Sequence, residues 1–343
     1  MSAQLQRDRR FEENESSRFL FLDGVRGFAA LAVAFGHFGY LNSGPLAVDL
    51  FFFLSSFLLT YQLYGKFVGE KKRFKEYLGL VVAYAIKRFF RIYPLLIVIA
   101  LCIQFIPIVR KAYLADPSFN AWDCLIFKGG TRDQWLKLYR PHVLWTIPLE
   151  IEYYCYIPIF SGICAYLFKV GKRKLLFLGT TIATTYFMMQ VLIKAPLRRH
   201  HSPLLPHIDI FAVGSCFGVL FFELKKENIH VRRKWVKYVL EIACGFVVLL
   251  ILSAREAYGI FKIWGIPIGI GPPTGYGCEN TVYLFAPLIL KELLVPGALS
   301  SLFQWSLLTF AGKISFSIYL DHSVLMEWIK SSDPNRNPPR ERY

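Results

Sequence analysis

The sequence predicts an all-α fold, a polytopic bundle of about nine transmembrane helices. Three observations predict it. The 343 residues are 55% hydrophobic and 17% aromatic but only 19% charged, whereas an ordinary soluble domain is about a quarter charged. Apolar runs of about 17 to 25 residues recur along the chain, each long enough to cross the hydrocarbon layer as a helix. The 40 Lys and Arg collect between those runs, as they do in loops at a membrane face. The net charge of +16 is therefore not read as a nucleic-acid surface, which would be a basic stripe on a folded domain.

The first two spans are expected at about 19–40 and 45–64, with the short turn GYLNSGP between them. The third, at 92–109, follows an amphipathic stretch, YLGLVVAYAIKRFFR at 77–91, read as a helix lying on the membrane surface. Further spans are expected at 149–168, 174–193, 206–223 and 236–253. The last two, 279–295 and 307–329, are the most interrupted, by Pro287 and Lys291 in one and by Lys313 and Asp321 in the other. This gives a polar tail at 1–18, a membrane domain at 19–330 and a second polar tail at 331–343. With the amino terminus in the cytoplasm, 23 of the 40 basic residues fall on the inner side, including the clusters KKRFK, KRFFR, KRK and RRK. The first 18 residues lack the apolar core of a cleavable signal, so the first span itself serves as anchor.

Five of the seven cysteines (Cys102, Cys155, Cys164, Cys216, Cys244) fall in these helices and read as small core residues. Cys124 and Cys278 both fall in outer loops, where they form either a disulfide or two unrelated thiols. His200, His201 and His207 cluster without a completing carboxylate or thiolate, so no metal is expected.

The first span, LDGVRGFAALAVAFGH, carries two polar residues that need an explanation. Arg26 and His37 are eleven residues apart, which puts them about 20° apart around a helix and about 16 Å apart along it. They share one face at two depths. An arginine within hydrocarbon costs at least about 2.5–3.5 kcal/mol on insertion scales and normally faces a bundle interior or a wet cavity. The alternative is that Arg26 snorkels to the headgroups with Asp23 as partner. Asp49 opens the second span on the side where His37 closes the first. A carboxylate there fixes an imidazole tautomer and raises its basicity, or it is simply an acid favoured by a helix N-terminus.

Six segments in order resemble the acyltransferase-3 family of integral-membrane acyltransferases. LDGVRGFAALAVAFGH matches its arginine, ten residues and histidine, and AVDLFFFLSSF matches its VDLFFxLSGF segment with Ser56 where glycine is usual. KRFFRIYP at 87–94 matches a basic and aromatic element, and WTIPLEIEYY at 145–154 is similar to a Trp-Ser-Leu-x-x-Glu element with Glu150 in the acidic place. FAVGSCFG at 211–218 resembles a glycine helix, and GKISFSIYLDH at 312–322 a late element ending in histidine, His322. Family members usually continue through further apolar sequence to about ten helices. This chain instead ends in SSDPNRNPPRERY, which raises the reading of an inactive, shortened member.

The resemblance implies transfer of an acyl group, acetyl in the first instance, to a hydroxyl of a glycan, lipid or small molecule. It implies an essential histidine at His37, acting as base or as acyl carrier, with Asp49 as its orienting partner. Arg26 then neutralises charge on the donor or on the oxyanion. Arg88 and Arg91, with Lys87, match the phosphates of an acyl-CoA donor, and Phe89, Phe90 and Tyr93 offer a surface for adenine; the same residues also suit simple anchoring at a helix end. Glu150, with Glu152 as a substitute, joins the acceptor site or remains an interfacial carboxylate. Asp209 reads as a polar contact beside a close helix crossing at 214–218. The rival from another class is a proton-coupled transporter, since buried Arg, His and Asp also build proton relays; the sequence shows no repeated halves to support it.

Overall fold

The computed structural model describes residues 2–37, 44–68, 73–113, 122, 125, 144, 146–170, 177–186, 207–227, 233–252 and 281–332. They form α1 (Ser2–His37), α2 (Gly44–Val68), α3 (Phe74–Phe105), α4 (Pro107–Tyr113), α5 (Thr146–Val170), α6 (Ile208–Lys226), α7 (Lys234–Leu252), α8 (Val282–Leu294), α9 (Ala298–Phe303), α10 (Ser306–Lys313) and α11 (Ser315–Ser332). Residues 177–186 are helical too, and no strand occurs among the described residues. The all-α expectation therefore holds.

Three helices are long and apolar enough to cross a membrane among the described residues, at Phe19–Gly36, Leu46–Val68 and Thr146–Phe168. They coincide with the first, second and fourth expected spans. Elsewhere the boundaries move for identifiable reasons. Helix α1 reaches back to Ser2 because the tail before Phe19 is rich in Gln, Glu and Arg, all good helix formers. Residues 77–91 are not a separate surface helix: α3 starts where Glu76 accepts the Arg73 N–H at 3.0 Å and continues through Pro94 to Phe105. It stops before Pro107, which instead takes the first position of α4. The eighth expected span yields α8, whose 13 residues cover about 20 Å at 1.5 Å per residue. The ninth is divided at Ile314 into α10 and α11.

The chain divides into two compact units, the first comprising Met1–Leu54, Leu224–Tyr319 and Glu341–Tyr343, the second Ser55–Glu223 and Leu320–Arg340. In the first unit α1 lies along α9 and α10. Glycines make that approach possible: a β-carbon at Gly24 would overlap Phe303 O, one at Gly27 would overlap Leu308 O, and one at Gly312 would overlap Asp23 O. Backbone meets backbone with no side chain between, as at close crossings of membrane helices. Phe303 fills the adjoining space, edge-on to Phe21 at 6.1 Å and Phe28 at 5.6 Å.

The same unit contains an ionic knot. Lys291 of α8 is hydrogen-bonded to Glu241 of α7 and, at 2.7 Å, to Glu292. Glu292 Oε2 accepts the N–H groups of Gly297 at 2.9 Å and Ser300 at 2.8 Å, and Glu241 Oε2 accepts Ala298 N–H at 3.3 Å. The orphan donors that open α9 are thus satisfied by two carboxylates held on one ammonium.

The second unit joins α2 to α5 and α6 by hydroxyl contacts. The Tyr153 hydroxyl donates to Phe211 O at 2.9 Å, so Ser215, 2.7 Å away, donates to Tyr153, and Thr60, 2.8 Å from Ser215, donates to Ser215. Gly218 sits against Phe57 O, where a β-carbon would come within 2.5 Å. The crossing expected at 214–218 is present. At its lower end Tyr64 donates to Glu223 Oε1 at 2.6 Å, and elsewhere in the unit Tyr113 donates to Leu320 O at 2.5 Å. Large apolar side chains are exposed in rows on α3 (Val82, Ile86, Phe90), α5 (Ile159, Ile163, Tyr166) and α7 (Ile242, Phe246, Leu249). Such faces suit hydrocarbon rather than water.

The glycine crossing yields a paired test. Gly27→Ala is expected to lower stability by about 1–3 kcal/mol through overpacking. Gly245→Ala, in open space on α7, is expected to be neutral or stabilising by up to about 1 kcal/mol. Thermal unfolding in detergent compares the two directly.

Candidate active site

Arg26 sits in the middle of the α1 glycine crossing, in the turn between Gly24 and Gly27. Its side chain is 16% exposed, and Nη1 lies 3.7 Å from Asp23 Oδ1 one turn earlier. The two readings of Arg26 therefore meet: the guanidinium is largely buried, and Asp23 is beside it. His37 is the last residue of α1; its side chain and the connection at 38–43 lie outside the described residues.

Asp49 is 1% exposed. It is the sixth residue of α2, whose first turn contains no acid. The macrodipole favours anions only within that first turn, so a helix-end role does not account for this carboxylate. Ring pairs lie on the α2 turns around it, Phe51 edge-on to Tyr319 at 5.8 Å and Phe53 edge-on to Phe285 at 5.3 Å. Placing a carboxylate in such apolar surroundings costs several kcal/mol before compensation.

A second polar cluster forms in the other unit, on α2, α3 and α5. Tyr154 donates its hydroxyl proton to Glu150 Oε2 at 2.5 Å, and Ser55 Oγ is 3.3 Å from the same hydroxyl. Tyr84 donates to the Tyr154 carbonyl at 3.2 Å. Arg88, one turn beyond Tyr84, is half-buried within electrostatic reach of Arg91, Tyr154, Tyr84 and Glu150. Its Nε has no hydrogen-bond partner among the described residues.

The sequence puts Lys87, Arg88 and Arg91 at the cytoplasmic face and Glu150 in a separate element, on the acceptor side. The structure brings Arg88 and Glu150 into one neighbourhood instead, because α3 is continuous and lays Tyr84 against α5. The basic element divides by side: Lys87, Arg91, Phe89 and Phe90 are exposed, with Phe89 stacked on Tyr93 at 4.5 Å, while Arg88 turns inward. It is Glu150 rather than Glu152 that takes Tyr154. Ser55, Tyr84 and Tyr154 went unnoticed in the sequence, although Tyr84 with Arg88 and Glu150 with Tyr154 are both at the four-residue spacing that places side chains together on a helix.

The late element also separates. His322 is buried and Asp321 beside it exposed, so the two do not form an acid–base pair. Asp209 is buried in the first turn of α6. His207 is buried, whereas His200, His201, Cys124 and Cys278 lie outside the described residues. No group of three or more His, Cys, Asp or Glu able to hold a metal occurs among the described residues. Cys164, Cys216 and Cys244 are buried as expected, but Cys155 is on the exposed face of α5 and is no core residue.

The family model described as an acyltransferase domain, Acyl_transf_3, matches residues 19–339. The chain belongs to the acyltransferase-3 family. A Staphylococcus aureus (strain COL) protein named "Putative O-acetyltransferase" is 25% identical over 346 residues, covering 90% of this chain and 51% of its own length. A Bacillus subtilis (strain 168) protein named "Putative peptidoglycan O-acetyltransferase YrhL" is 22% identical over 322 residues, covering 88% of this chain and 47% of its own. The chain thus spans about half the length of these curated relatives. "Protein 2 in picA locus" of Rhizobium radiobacter is 42% identical over 90 residues, or 24% of the chain and 42% of that protein. No solved structure matches the chain.

Ser56, where the family pattern has glycine, is buried at 1% exposure in α2. Restoring the glycine removes a buried hydroxyl and loosens a helix interior. Ser56→Gly is expected to lower stability by about 1 kcal/mol or more, read as a lower melting temperature in detergent.

Proposed function

We propose that this chain is an integral-membrane O-acyltransferase, multi-pass with its amino terminus in the cytoplasm, which moves an acetyl group from acetyl-CoA to a hydroxyl of a glycan. The observation that carries this reading is Asp49, a carboxylate buried early in α2, in the helix that follows the arginine-to-histidine element of the family. The glycan acceptor rests on the printed name of the Bacillus subtilis relative.

In this reading the His37 imidazole takes the proton of the acceptor hydroxyl, and Asp49 orients the ring and stabilises the imidazolium. The acceptor oxygen attacks the thioester carbonyl to give a tetrahedral oxyanion, while Arg26, about 16 Å from His37 along α1, neutralises charge on the donor. Collapse breaks the carbon–sulfur bond, the ester forms, and the imidazolium returns its proton to the departing thiolate. Arg88 and Arg91 hold the donor phosphates, with Lys87 adding charge. The guanidinium plane suits phosphate oxygens better than a point charge does.

The test follows thiol release from acetyl-CoA by the purified protein in lipid nanodiscs, with a peptidoglycan-derived muramyl disaccharide as acceptor. His37→Ala is expected to lower the rate by about 10² to 10⁴. Asp49→Asn, which keeps the shape and removes the charge, is expected to lower kcat by at least about tenfold with an unchanged elution profile. Undiminished turnover in His37→Ala would overturn the reading.

A further inference from the structure

The hydroxyl of Tyr154 lies between two oxygens, and proton accounting fixes the direction of the chain it forms. A phenol has one proton to donate. Tyr154 gives it to Glu150 Oε2 at 2.5 Å. Ser55, 3.3 Å from the same oxygen, must therefore be the donor to Tyr154. The chain runs Ser55 to Tyr154 to Glu150, from α2 through α5, and every hydrogen bond in it points at the carboxylate. Tyr84 of α3 holds the Tyr154 backbone carbonyl at 3.2 Å, so Tyr154 is fixed at both ends.

Such a chain does two things to Glu150. It orients the carboxylate, and it occupies one of its oxygens while leaving the other. Among the described residues Oε1 accepts no hydrogen bond, and Arg88, though within electrostatic reach, closes no ion pair with Glu150. A carboxylate held in one orientation with one oxygen to spare is suited to receive a ligand hydroxyl. It is poorly suited to receive the phosphates of a nucleotide donor, which it would repel.

We propose that Tyr154, backed by Ser55, is a positioning residue for acceptor binding: it holds Glu150 oriented so that Oε1 accepts a hydroxyl of the acceptor sugar. This rests on the acyl-transfer reading above. It adds that Tyr154 acts through Glu150 and on the acceptor side only, while the donor phosphates are served by Arg88 and Arg91 with Lys87.

The full chain in lipid nanodiscs is assayed with acetyl-CoA and the muramyl disaccharide, each substrate titrated separately. Tyr154→Phe removes one oxygen and is expected to raise the acceptor KM about tenfold, the scale of losing one hydrogen bond to a charged group, with the acetyl-CoA KM within about twofold of wild type. Ser55→Ala is expected to raise the acceptor KM by a smaller factor and Ser55→Thr, which keeps the hydroxyl, to restore it. In a Glu150→Gln background, adding Tyr154→Phe is expected to cost much less than it does alone, because the two act as a unit. A wild-type acceptor KM in Tyr154→Phe, a parallel rise in the acetyl-CoA KM, or full additivity with Glu150→Gln overturns the proposal while leaving acyl transfer intact. Should Tyr154→Phe not yield monodisperse protein, the Ser55→Ala and Ser55→Thr pair carries the same comparison, and equal KM values for those two overturn it. Turnover lacking in the wild type overturns both readings.

Discussion

A charged side chain taken out of water must be compensated where it stands, and in a chain this apolar that requirement shapes every polar residue in the helices. The idealised cost of moving an ion into a medium of low dielectric is about 20 kcal/mol, and several kcal/mol remain after relaxation. The fold answers in two distinct ways. At Lys291 the compensation is closed: one ammonium, two carboxylates and three backbone N–H groups satisfy one another. At Arg88 and Glu150 it stays open, with electrostatic proximity but no ion pair among the described residues. A closed network can only hold structure together. An open one retains donors and acceptors for a ligand, and that difference separates scaffold from candidate site better than burial does.

The position of Arg26 follows from the same requirement. Its turn of α1 is flanked by Gly24 and Gly27, and α10 returns Gly312 against Asp23. Close approach of two backbones excludes lipid from the turn that carries the guanidinium, so the cation meets peptide dipoles and Asp23 rather than acyl chains. The glycines and the arginine are therefore one device: without the crossing, the arginine would have to reach for the headgroups.

Much of this was legible in the sequence, and what was not has a physical explanation. Apolar run lengths gave the helical class and the three spans that length and hydropathy support. The spacing of Arg26 and His37 put them on one face because helical periodicity is rigid. The limits of α3 were misread because a basic, aromatic stretch at 77–91 resembles a surface helix, whereas Tyr84 anchors it to α5 through a hydroxyl whose partner is 70 residues away. Long-range pairs of that kind leave no periodic trace. Glu150 was visible as an acid in a family element, but its orientation depends on Ser55 and Tyr154, ordinary residues in apolar helices. Asp321 and His322 are neighbours in sequence, yet one is exposed and the other buried, because neighbours on a helix diverge by about 100°.

The choice between arginine and lysine at these sites follows from how each keeps its charge. An ammonium surrenders its proton readily when desolvated, whereas a guanidinium stays protonated and spreads its charge over five donors. Lys291 can be lysine because Glu241 and Glu292 both hold it. Arg88, without an ion pair among the described residues, has less carboxylate support. A lysine there, more strongly hydrated and without the planar fork of donors, would be harder to hold half-buried. The polar residues of this chain are thus graded by how completely they are compensated, from the closed network at Lys291 to the open pair at Arg88 and Glu150.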